Sequence, residues 1–79
     1  MDINMVDVDG WTALMHAAHY NHAGVVETLL AAPGVDVNKK VTGGTWSKGK
    51  TALGLAMYRN KVEVAALLRA AGGRAGWIF

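Results

Sequence analysis

The chain contains no cysteine, so neither a disulfide nor a thiolate metal site can brace it. That absence fits a reducing compartment. It contains no run of about 18 apolar residues, so no membrane-spanning helix is expected. The first ten residues, MDINMVDVDG, lack both a basic start and an apolar stretch, so no signal peptide is expected. Proline occurs once, at Pro33. With 79 residues there is room for one domain, near the size at which a single core only marginally suffices.

Lys and Arg are missing from residues 1–38, which carry Asp2, Asp7, Asp9, Glu27 and Asp36 and a charge of −5. Residues 39–79 hold all eight basic side chains against Glu63, for a charge of +7. Halves of opposite sign attract each other if they stack, and the basic half favours an acidic partner. The plainer reading is that each charge sits on a solvated face.

What is present is a repeat. TALMHAAHYNHAGVVETLLAAPG, beginning at Thr12, returns 39 positions later as TALGLAMYRNKVEVAALLRAAGG, beginning at Thr51. Thr12 suits a helix N-cap, because its hydroxyl can accept from an unpaired N–H at the helix start. Ala13, Leu14, Ala17 and Ala18 then fall at helical spacing, predicting a short helix to about Tyr20. Asn21, and Asn60 in the second copy, should end that helix in the left-handed region, where Asn ranks after Gly. A second helix is predicted from about Ala23 to Ala32, with Val25, Val26, Leu29 and Leu30 as one apolar face, stopped by Pro33-Gly34. The second pair is predicted over about Thr51 to Arg59 and Val62 to Ala71. Its inward sets are Leu53, Ala56 and Met57, then Val64, Ala65, Leu67 and Leu68. Between the copies, residues 39–50 (KKVTGGTWSKGK) have no helical period and are expected to form a polar connector with glycine turns. Helices this short are marginal alone, so each pair must be covered by its neighbour, which is the logic of a helical solenoid.

These residues resemble the ankyrin repeat, whose signature includes T-P-L-H-x-A at a period of 33. Thr12-Ala13-Leu14-Met15-His16-Ala17-Ala18 matches with Ala for Pro and Met for His. Asn21-His22 stands where the family has Gly-His, and Gly34-Val35-Asp36-Val37-Asn38 resembles its G-A-D-V-N. Asp2-Ile3-Asn4 resembles the end of the same element from a preceding repeat. The second copy departs more, with Gly54 in the His slot and Arg69 in an apolar one. The resemblance implies an all-α helical solenoid of helix-turn-helix repeats with β-hairpin or loop fingers. Its parts would be the end of a preceding repeat (1–11), repeat 1 (12–38), a lengthened finger (39–50), repeat 2 (51–75) and a tail (76–79). It also implies protein binding through finger tips and inner helices, without catalysis. Carried over by position, the finger residues are Val8, Asp9 and Trp11, then Ser47, Lys48 and Lys50. The inner-helix ends give His19 and Tyr20, then Tyr58 and Arg59.

Other constellations bear on function. Gly44 to Thr51 fits G-x-x-x-x-G-K-T, a loop that cradles phosphates when a buried strand precedes it. Here the preceding residues are mostly polar, and the repeat already accounts for Gly49 and Thr51. Nucleotide binding is thus the alternative reading. His16 and His19 would share a helix face, as a zinc site needs, but His22 lies beyond the break, and His19 is expected at a surface position. No nucleophile has an evident base, and Asp7 and Asp9 lie in a turn. Lys39, Lys40, Lys48 and Lys50 flank Trp46, a composition that could grip nucleic acid, although no nucleic-acid motif accompanies it. Trp11, Trp46, Tyr20 and Tyr58 are interface anchors when a partner buries them; alternatively Trp11 and Trp46 fold back on their own hairpins. The tail Trp77-Ile78-Phe79 reads as a cap on the last repeat or as the cut edge of a longer protein.

The expectation is therefore a cytoplasmic or nuclear protein-interaction module that uses no cofactor or metal. A solenoid needs about three repeats, so the chain is expected to belong to a longer array or to self-associate through its repeat ends.

Overall fold

A computed structural model describes residues 2–44 and 46–75. Four helices follow one another: α1 (Ala13–His19), α2 (Ala23–Leu30), α3 (Ala52–Tyr58) and α4 (Val62–Ala70). Helix α1 packs on α2 and α3 on α4, while α1 meets α3 and α2 meets α4. Two helix pairs thus stack side by side in two layers. No strand occurs among the described residues, so the fingers are turns and loops.

Local chemistry sets each boundary. The Thr12 hydroxyl accepts from the Met15 N–H at 3.2 Å, and the Met15 sulfur accepts from the Thr12 N–H at 3.2 Å. This is a capping box with a thioether in place of the usual carboxylate. Thr51 caps α3 in the same way through the Gly54 N–H, but Gly54 has no side chain to complete the box. Asn21 and Asn60 end α1 and α3 as expected, at φ 63° and 57°. The following N–H groups, of His22 and Lys61, bond the Ala17 and Ala56 carbonyls at 2.9 and 2.8 Å. Orphan carbonyls of the last turn are satisfied this way.

The pairs are stapled by asparagine. Asn38 donates to the Gly72 carbonyl (3.1 Å) and accepts from the Arg74 N–H (2.7 Å). Asn4 does the same one repeat earlier, with the Gly34 carbonyl and the Asp36 N–H, at 2.8 and 2.7 Å. Asn4 therefore holds the first pair in the way that Asn38 holds the second.

The core is built from both pairs, with Met15, Val26, Leu55, Val64 and Leu68 fully buried. Met15 and Leu55 were not expected among the inward residues. Val25 was, yet it is half exposed. From the polar connector, Val41 is also buried; its N–H bonds the Lys50 carbonyl and its carbonyl accepts from Gly49, closing the finger. The two fingers touch closely: a Cβ on Gly10 would lie 2.7 Å from the Thr42 hydroxyl, and one on Gly43 2.8 Å from the Asp9 carbonyl. The expected tail features at Trp77-Ile78-Phe79 lie outside the described residues.

Candidate functional site

Four segments converge on one side of the stack. The first finger brings Asp7, Asp9 and Trp11, and the end of α1 brings His16, His19 and Tyr20. The lengthened finger brings Gly44, Trp46, Ser47 and Lys50. The end of α3 brings Tyr58 and Arg59. Between them lies a cleft of about 310 Å³ lined by Asp9, Trp11, His16, His19, Tyr20, Gly44, Trp46 and Ser47.

Its walls are rings. Trp11 lies against His16, His19 and Trp46, with centroids 4.9, 5.1 and 5.9 Å away. Tyr20 meets His19 edge-on at 4.7 Å. Trp46 stacks on Tyr58 at 4.8 Å. The Lys50 ammonium lies 5.9 and 5.8 Å from the Trp46 and Tyr58 rings, within cation–π range, and donates to the Trp46 carbonyl. The Trp11 indole N–H donates to the Ser47 hydroxyl at 3.2 Å. That bond ties the two fingers together beneath the cleft.

Two histidines have separate roles. His16 pairs with Asp7 at 2.7 Å. This bond, with the Trp11 N–H on the same carboxylate, holds Asp7 below the usual carboxylate range. His19 is buried, and desolvation lowers its pKa, with Arg59, His16 and Lys61 adding repulsion. Arg59 approaches its Nε2 at 3.4 Å. Because a guanidinium can only donate, Nε2 accepts and the ring proton lies on Nδ1. Nδ1 is buried without a hydrogen-bond partner among the described residues.

Several expected positions change meaning. His19, expected at the surface, is buried because Trp11, Trp46 and Tyr20 pack around it. Trp11 and Ser47 are buried as well, so they form the floor and offer little area to a partner. Tyr20, Trp46 and Tyr58 are the exposed rings. Val8 is fully exposed but outside the cleft, and so is Lys48. From sequence His16 reads as a candidate zinc ligand; the Asp7–Trp11 turn that captures it belongs to another element and leaves no local signal.

The residues of the phosphate-loop match are engaged elsewhere. The Thr51 hydroxyl caps α3 and donates to the Arg74 carbonyl, in a buried setting. Lys50 is folded over the aromatic pair.

The stapled helix pairs, asparagine turns and paired fingers are those of a repeat protein. A family model described as ankyrin repeats (3 copies) matches residues 1–75, and the chain belongs to the ankyrin-repeat family. Ankyrin repeats are protein–protein interaction modules. Among the described residues no helix is long and apolar enough to cross a membrane.

Proposed function

We propose that the chain is a non-catalytic binding module, a scaffold whose protein partner seats on the ring-lined cleft between the two fingers. The observation that carries this is that exposed Tyr20 and Trp46, from two segments, line one open cleft, with exposed Tyr58 stacked on Trp46 beside it. Exposed aromatics beside a desolvated floor are the make-up of binding hot spots. The floor is fixed in advance by the Trp11–Ser47 bond, so little ordering cost accompanies docking. Lys50 lies beside Trp46 and Tyr58 and Arg59 beside His19, while Asp7 and Asp9 belong to the first finger, and this division of charge orients a partner. A location in the cytoplasm or nucleus suits the cysteine-free sequence.

The test is affinity capture with the chain, Trp46→Ala, Tyr20→Ala and a distant control, Glu27→Ala, with each fold checked by circular dichroism. Proteins held by the chain and by the control but released by both aromatic variants support the reading. An identical captured set for all four proteins overturns it.

A further inference from the structure

Equivalent positions of the two helix pairs differ in burial in a regular way. In the second pair, Leu55, Val64 and Leu68 are fully buried. Their counterparts 39 positions earlier are His16, Val25 and Leu29, which are half-buried, 51% exposed and half-buried. These are the positions that face the preceding pair: in the second pair α1 and α2 cover them, and in the first they are open.

The opposite face shows the converse. Met57, Asn60, Lys61, Val62, Ala65 and Arg69 line an open slot of about 200 Å³, and Val62 is 72% exposed. The same slot one repeat earlier is centred on Ala18, Ala23 and Val26. There Ala18 and Val26 are fully buried, because α3 and α4 pack against α1 and α2. Among the described residues, one end therefore carries an unfilled slot and the other the type of face that fills such a slot internally.

Charge agrees with shape. The slot is rimmed by Lys61 and Arg69, within a half of charge +7. The opposite end belongs to a half of charge −5 with no Lys or Arg, where His16 carries the Asp7 carboxylate. We propose that a second copy of this chain docks head to tail, placing its Val25 and Leu29 in the slot along Val62 and Ala65 and its acidic half against Lys61 and Arg69. The contact uses two different surfaces, so it is heterologous and leaves a free slot and a free face for further copies. It borders the aromatic cleft at His16 but does not use Tyr20 or Trp46, and it does not depend on the function proposed there.

Sedimentation equilibrium of the 79-residue chain tests this at low and high salt, since exposed charges are screened beyond about 10 Å at roughly 0.1 M salt. The average mass should rise with concentration, more strongly at low salt. Val25→Arg blocks the face and Val62→Arg fills the slot. Both positions are exposed, so neither change threatens the fold, which thermal melts verify. Each variant alone should associate at least about tenfold more weakly. An equimolar mixture should form a dimer and nothing larger, because one intact face meets one intact slot. A chain that stays monomeric at every concentration overturns the proposal. So does association of either variant as strong as that of the unchanged chain, or a mixture that remains monomeric.

Discussion

Val25 and Val64 hold the same position in the two helix pairs, yet one is half exposed and the other is fully buried. His16 and Leu55 form a second such pair, half-buried against fully buried. The copied sequence thus sets which residues point along the stack, and the neighbour decides whether they are covered. In the second pair these sites hold apolar side chains that carry the core. In the first, position 16 has become a histidine, held by Asp7 of the first finger and lining the cleft. The pair with the more degraded signature is the better packed one. The pair with the clearer signature carries the more exposed and chemically varied surface.

The difference between the two pairs rests most heavily on Leu55. Removing its buried side chain leaves a cavity between α3 and its neighbours, so Leu55→Ala should cost about 2–5 kcal/mol in urea unfolding. His16→Ala should cost a small fraction of that, because its pairing with Asp7 lies in water. Equal losses would mean that the copies share the load. Next in size, Val64→Ala should cost about 2 kcal/mol, and Val25→Ala should change stability by no more than about 0.5 kcal/mol. In the head-to-tail assembly this second value should rise as Val25 becomes buried.

The asparagine staples sharpen the comparison from the other side, since here the two regions should behave alike. Asn4→Ala and Asn38→Ala each remove one donor and one acceptor bond at the surface, and each should cost about 1 kcal/mol. A much larger loss at Asn38 would show that the second pair is docked mainly through that side chain.

The features legible in the sequence were those decided within a few residues. Thr12 and Thr51 cap helices because their hydroxyls reach an N–H three positions on. Asn21 and Asn60 turn the chain because they tolerate a positive φ. What escaped was decided across the stack. Val41 lies in a polar connector and gave no periodic signal, yet it is buried. Leu55 escaped because α3 is covered by both α1 and α4. The candidate site was legible as a set of aromatic and basic residues, but its arrangement was not. The Trp11–Ser47 bond spans 36 residues and the Arg59–His19 contact spans 40. No pattern within one repeat distinguishes the ring that becomes floor, at Trp11, from the one that stays open, at Trp46.

The smallest expected effect is one of slope, at the point where the two repeats share a residue contact. His19 of the first pair is buried against Arg59 of the second, and burial foremost, with Arg59, His16 and Lys61 behind it, lowers its pKa from 6.5. An unfolded chain therefore takes up a proton at this ring at a pH where the folded protein does not. Since the unfolded state binds more protons, stability rises with pH in the window from the lowered folded value up to about 6.5, and falls on acidification through it. Asp7 works in a separate, more acidic window. Its folded value is lowered below 3.8, first by the His16 bond, so its contribution is intact above the unfolded value and is lost only as pH falls through the folded one. Urea titrations of the chain and of His19→Gln from about pH 2.5 to 7.5, a range that covers both carboxylate and histidine titration, should separate the two. Glutamine keeps a polar side chain at the site but cannot titrate, so the slope around 6.5 should flatten while the acid limb below pH 4 persists. An unchanged slope in the variant would mean that the ring titrates as freely as in the unfolded chain, and that the cleft floor is wet.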